Sequence, residues 1–216
     1  MSISHTSIYT RIWRERDPVI LRCLRHGGKR YKKHGKAGRS CIPGRIDISQ
    51  RPEMVEQKQR IGDWEGDTVV SGKDGTGALV TLVDRASKYT LMQKVERKTA
   101  EATKEAIIAL LKAHKRKAHT LTLDNGTEFA KHTEIGHALK AKTYFATPYR
   151  SWERGLNEHT NGLIRQFFPK KTNFNEVTDR EVNAVQKLLN NRPRKVLGYQ
   201  TPTEIFSSYQ LSSFIL

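Results

Sequence analysis

Three acidic residues stand where a divalent metal would need them. Asp67 lies in the strand-like Trp64-Glu65-Gly66-Asp67-Thr68, and Asp124 ends the strand-like Leu121-Thr122-Leu123. Glu158 lies on a helical stretch, Gly155-Leu156-Asn157-Glu158-His159-Thr160-Asn161-Gly162. If the first and fourth strands of a sheet are neighbours, Asp67 and Asp124 stand side by side, and a carboxylate from a crossing helix completes a set of hard oxygen ligands. Mg²⁺ is held by such donors, one or two carboxylates per ion, with substrate phosphate taking other positions. Singly, each acid has an ordinary reading: Asp124 as a turn residue before Asn-Gly, Glu158 as a surface helix acid. Together, in a basic chain, they form a repulsive cluster that a cation would relieve.

The elements around them read as α/β. Strand-like segments fall at Ile61–Val70, Ala78–Val83, Lys88–Val95, His119–Leu123 and Thr143–Ala146. The first two should pair as a hairpin across Lys73-Asp74-Gly75-Thr76-Gly77, whose glycines serve a turn because no helix follows them. The third alternates Tyr89, Leu91, Gln93 and Val95 on one side. Helices are expected over Ala100–Lys117, capped by Thr99, with Lys112, Lys115, Arg116 and Lys117 in its last turn; around Ile135–Leu139; over Gly155–Phe168; and over Asp179–Asn190, which opens with a Thr178/Glu181 capping box. This order fits a mixed five-stranded sheet with helices on its faces. At about 100° per residue, Glu158, Asn161, Gly162 and Arg165 share one face of the third helix, and Leu156, Leu163 and Phe167 pack on the other. Gly162 would admit DNA or a close helix–sheet contact, and His159 is expected to pack.

Net charge points to the partner. The chain has 216 residues, 39 Lys+Arg and 22 Asp+Glu, a balance of +17 that predicts a polyanion, most simply nucleic acid. No apolar run is long enough for a membrane span. Two cysteines make no disulfide framework, which favours a reducing cytosol. Residues 18–46 carry Arg22, Arg25, Lys29, Arg30, Lys32, Lys33, Lys36, Arg39 and Arg45 and no acid, composing a phosphate-contacting arm or a solvated linker. Cys23, His26, His34 and Cys41 lack the spacing of a zinc finger. Ahead of the arm, Ser4–Trp13 reads as a short helix capped by Ser4, with Ile8, Ile12 and Trp13 in one stripe.

Trp-x-x-Asp, Asp-Asn-Gly-x-x-Phe and a Glu 34 positions after that Asp, with basic Arg165 seven residues further on, resemble the integrase catalytic core of the retroviral superfamily. More narrowly, Arg60–Thr68, Tyr149–Gly155, Asn161–Lys170, Asn191–Lys195 and Thr201-Pro202-x-Glu204-x-Phe206 resemble the IS-thirty family of bacterial insertion-sequence transposases. The resemblance covers roughly residues 45–206 and implies a ribonuclease-H-like fold: a five-stranded mixed sheet flanked by helices, here with a basic N-terminal extension. The expected domains are residues 1–46, a DNA-binding remnant of a helix-turn-helix region, and residues 47–216, the catalytic core. Members usually begin with a complete helix-turn-helix, so the chain is expected to be an N-terminally truncated transposase.

The resemblance further implies a DDE mechanism. Two Mg²⁺ ions, or Mn²⁺ in their place, would be held by Asp67, Asp124 and Glu158 and flank a scissile phosphate. Water would cut the element end, and the freed 3′-hydroxyl would attack target DNA. Arg165 and Asn161 would hold DNA near the metals; Arg150, Arg154, Tyr149 and Trp152 would contact or stack on a strand; and Lys29, Arg30, Lys32 and Lys33 would track phosphates. The implied partners are double-stranded DNA, as element ends and target, and further copies of the chain, in a bacterial cytoplasm at the nucleoid. Two other readings remain open: a nuclease that cuts without joining, and a non-catalytic DNA-binding remnant that modulates intact transposase.

Overall fold

The computed structural model describes residues 3–23, 42–73, 75–147 and 155–212. The chain divides into two compact units, Met1–Arg39 and Ser40–Leu216. The first contains α1 (His5–Glu15) and α2 (Pro18–Cys23). Ser4 caps α1 by accepting from Ser7 N, and no residue of α1 is buried.

The second unit is built on a sheet of five strands, β1 (Asp63–Val70), β2 (Ala78–Asp84), β3 (Thr90–Val95), β4 (Thr120–Leu123) and β5 (Lys142–Phe145). Their order is β3-β2-β1-β4-β5, with β1–β2 and β2–β3 antiparallel and β1–β4 and β4–β5 parallel. Around it lie α3 (Glu53–Glu56), α4 (Ala100–Lys112), α5 (His132–Leu139), α6 (Gly155–Phe167), α7 (Asp179–Asn190) and α8 (Pro202–Ser212). The period of two sends alternate strand residues to opposite faces. Trp64, Val80, Leu82, Leu91, Leu121 and Leu123 meet Ile107 and Leu111 of α4, Ile135 and Leu139 of α5, and Phe206 of α8. Val69, Leu79 and Met92 meet Ile164 of α6 and Val182, Val185 and Leu189 of α7.

Several boundaries differ from the sequence expectation for local reasons. Strand β1 starts at Asp63 because Gly62 turns the chain at φ +104°; a Cβ there would stand 2.6 Å from Lys117 O. Strand β3 starts at Thr90 because Lys88 closes the preceding turn at φ +63°. Helix α4 ends at Lys112 rather than Lys117. A separate 3₁₀ turn, Lys115–Lys117, brings Lys117 O to the Trp64 indole N–H at 2.7 Å, so only Lys112 stands in the helix's last turn. The Thr178/Glu181 capping box of α7 forms as expected. Helix α3 is too short to be announced by its sequence, whereas α8, not expected from the sequence, opens with a capping box, Thr201 N donating to Glu204 Oε2 at 2.7 Å and Glu204 N to Thr201 Oγ1 at 3.1 Å. The second unit also takes in residues ahead of 47: Ile42 is buried in the core and Ile46 O accepts from Phe145 N at 2.8 Å.

One face of β1 is acidic, and arginines meet it. Asp63, fully buried, receives Arg60 through Nε at 2.9 Å and Nη2 at 3.0 Å, and Thr120 Oγ1 at 2.7 Å. Glu65, 1% exposed, pairs with buried Arg85, which also donates to Val55 O at 3.0 Å and Glu56 Oε2 at 3.0 Å. Arg51 pairs with Glu56 and donates to Thr122 Oγ1 at 2.8 Å. Burial pushes the Glu56 carboxyl up, but the Arg51 and Arg85 guanidiniums outweigh it and hold it below the usual range. Removing one partner of a buried pair leaves a desolvated charge, whereas replacing both is near neutral. Arg85→Met should therefore lose about 3–5 kcal/mol of unfolding free energy, and Arg85→Met with Glu65→Met should recover most of it. Urea unfolding of both variants checks this, and equal losses would refute it.

Candidate active site

The site begins with strand register. In the parallel β1–β4 pair Glu65 lies opposite Thr122. Asp67 lies two residues further along β1, and Asp124 is the first residue past the end of β4, so both follow the last paired position of the two strands. Gly66, between Glu65 and Asp67, permits the approach: a Cβ there would stand 2.7 Å from Leu123 Cδ2.

Both strand carboxylates are oriented locally. Asp67, half-buried, accepts Thr68 N at 2.8 Å on Oδ1 and Asn161 Nδ2 at 2.8 Å on Oδ2. Asp124 Oδ1 accepts Gly126 N at 2.8 Å. Its turn is pinned by Asn125, which donates to Ala146 O at 2.7 Å and accepts from Arg45. Arg45, part of the basic arm by composition, thus belongs to this turn.

Helix α6 differs from its helical-wheel reading. Its buried residues are Asn157, Thr160 and Ile164, whereas Phe167, expected to pack, is 41% exposed. His159, also expected to pack, is exposed. Glu158 stands about 100° around the helix from Asn157, which puts it on the exposed flank. Gly162 has nothing within 4 Å of a built Cβ, so a close helix–sheet contact does not account for it.

The donors are hard oxygens, which suit Mg²⁺ or Mn²⁺. Among the described residues, however, no three His, Cys, Asp or Glu side chains gather closely enough to hold one ion. The strand pair and Glu158 belong to elements joined through Asn161 and Asp67, because α6 turns its amides, not its acid, toward the sheet.

Arg165 lies near the end of α6. It donates to Val70 O at 2.8 Å, Pro169 O at 3.2 Å and Phe168 O at 3.4 Å, fastening the helix end to the end of β1. Burial lowers its pKa. Asn161 likewise faces Asp67. Tyr149, Arg150, Trp152 and Arg154, with Lys29, Arg30, Lys32 and Lys33, lie outside the described residues, as do the side chains of Cys23, His26, His34 and Cys41. Sequence reasoning passes over Glu128, 5% exposed, which accepts Thr68 Oγ1 at 2.9 Å and pairs with Lys98 at 2.7 Å. The Asp-Asn-Gly-x-x-Phe motif contains it, but as an unspecified position.

Comparison with known proteins places this geometry. The Integrase core domain family matches residues 57–151. Among solved structures, the HTLV-2 integrase catalytic core domain in complex with magnesium superposes with a TM-score of 0.54 at 20% identity, covering 68% of this chain and 97% of that one. The catalytic core domain of BIV integrase gives 0.55 at 19% identity, covering 72% and 99%. Both share the ribonuclease-H-like fold. The transposase for insertion sequence element IS4351 of Bacteroides fragilis is 49% identical over 208 residues, covering 94% of this chain and 64% of its own length. The transposase InsI for IS30A of Escherichia coli (strain K12) is 39% identical over 183 residues, covering 84% and 47%. The chain thus spans between about half and two-thirds of the length of these relatives. The chain thus carries an integrase core domain over residues 57–151 and is similar to the transposases of IS4351 and IS30A.

Proposed function

We propose that this chain is the catalytic part of a transposase that cuts DNA at the ends of a mobile element and joins the freed ends to target DNA. The observation that carries the reading is the parallel pairing of β1 with β4 up to Glu65 and Thr122, with Asp67 further along β1 and Asp124 just past the end of β4, and with α6 tied to Asp67 by Asn161. Asp67, Asp124 and Glu158 would hold divalent metal, Mg²⁺ or Mn²⁺, and two ions suit the reaction. The magnesium in the HTLV-2 core supports that choice. Bound there, the metal would make water or a 3′-hydroxyl nucleophilic at neutral pH and stabilise the leaving oxygen of an in-line displacement.

The protein's own groups prepare the site. Asn161 holds the Asp67 carboxylate in one orientation, and the Asn125–Arg45 hydrogen bond holds the Asp124 turn. No side chain need become covalently attached to DNA. The net charge of +17 supports double-stranded DNA as partner, with the basic extension ahead of Ile42, expected over residues 1–46, carrying Lys29, Arg30, Lys32 and Lys33. Tyr149, Arg150, Trp152 and Arg154 would contact a strand. Arg165 would act on DNA through the position of α6, given the carbonyls it holds. Joining two element ends calls for more than one copy of the chain on DNA. No helix among the described residues is long and apolar enough to cross a membrane, and the bacterial relatives favour the cytoplasm as the setting.

Asp67→Asn, Asp124→Asn and Glu158→Gln are each expected to abolish Mg²⁺-dependent cleavage and the joining of a pre-cut end, with DNA affinity retained. Robust activity in any of them rejects the triad. Cleavage by the unaltered chain without joining would instead indicate a nuclease. For the basic extension, deleting residues 18–39 spares Arg45 and Ile46. It should flatten the plot of log affinity against log salt by about 0.9 for each phosphate that is no longer neutralised. An unchanged slope in a filter-binding titration would reject the extension as a DNA-binding element.

A further inference from the structure

Asn157 is 1% exposed on α6, immediately before Glu158, and neither its Oδ1 nor its Nδ2 has a hydrogen-bond partner. One turn on, Asn161 donates from Nδ2 to Asp67 while its buried Oδ1 is unpaired. On the same side of β1, two residues before Asp67, Glu65 Oε2 is a further buried oxygen without a partner.

Stability does not explain the amide. A buried amide that makes no hydrogen bond has given up its hydration with nothing in return, and a hydrocarbon of similar size would serve as well or better. Ile164, two turns further along the same buried face, does so at 0% exposure. The atoms are too enclosed for nucleic acid to reach. They do suit water, which needs two to four polar partners when buried.

We propose that Asn157 is a positioning residue for Asp67 and Glu158. With Asn161 Oδ1 and Glu65 Oε2, its amide holds ordered water between α6 and β1, and this bridge sets where the helix carries Glu158 relative to Asp67. The inference rests on reading those two acids as metal ligands. Groups that orient metal ligands from behind commonly change metal affinity or activity by about 10–100-fold when removed.

The test is thermal unfolding of the full chain, first in chelator and then across a MgCl₂ series, for the unaltered protein, Asn157→Leu and Asn157→Ala. Asn157→Leu is expected to have a metal-free Tm equal to or above that of the unaltered chain, while the Mg²⁺ concentration giving half the maximal rise in Tm increases about 10–100-fold. Asn157→Ala should show the same increase even if its smaller side chain lowers Tm, and it decides the matter should the leucine variant fail to fold. A Mg²⁺ midpoint unchanged in the folded variants overturns the inference whatever happens to Tm, since that pattern marks a packing residue. If the unaltered chain does not respond to Mg²⁺ and Asp67→Asn behaves identically, the metal reading falls and takes this inference with it. A response in the unaltered chain that both variants share removes only the role given to Asn157.

Discussion

Three acids on one side of a central strand set the terms for the second unit. Asp63, Glu65 and Asp67 follow each other at the period of two on β1, which has a neighbour on each side. A buried carboxylate is costly unless paired and hydrogen-bonded, and like charges along one strand face aggravate this. Much of the chain between Ile48 and Gly62 answers that cost. Arg51 and Arg60, with the backbone of α3 and its Glu56, form a polar cover over the strand, and Arg85 closes it from the end of β2. This part of the protein packs through charge and hydrogen bonds where the opposite face of the sheet packs through hydrocarbon.

The division between faces is what makes the site precise. The apolar face holds β1 and β4 against α4 and α5, so the strand pairing that precedes Asp67 and Asp124 rests on a hydrocarbon core. The acidic face carries the helix that bears Glu158. That helix is attached at two places: Asn161 on Asp67, and Arg165 on the carbonyl at the end of β1. Rigid strands and a tethered helix are a division of labour suited to a reaction in which carboxylates from separate elements must meet one phosphate.

Local signals are legible in the sequence, and long-range pairings are not. The strands follow from residue type, a continuous apolar run at Ala78–Val83 and alternation in the third and fourth, and the Thr178/Glu181 box marks the start of α7 because both halves of that signal lie within one turn. The wheel of α6 is right for Leu163, which packs partly buried, and misleads for Phe167, which is exposed. The sheet beneath is acidic there, so the helix buries Asn157 and Thr160 instead. Arg45 falls within the basic arm for the same kind of reason: composition describes a stretch, while its hydrogen bond to Asn125 spans 80 positions. The Arg85–Glu65 pair joins a turn to a strand 20 positions earlier, and no periodicity announces it.

The partners given to the three acids differ in a way that bears on function. Asp63 and Glu65 each receive a guanidinium, which offsets the carboxylate's charge, although Glu65 Oε2 is left without a hydrogen bond. Asp67 receives an amide from α6. An amide N–H orients a carboxylate as well as a guanidinium does but adds no positive charge, so the attraction for a cation survives the hydrogen bond. An arginine at position 161 would bond Asp67 more strongly and would compete with any metal for the same oxygens.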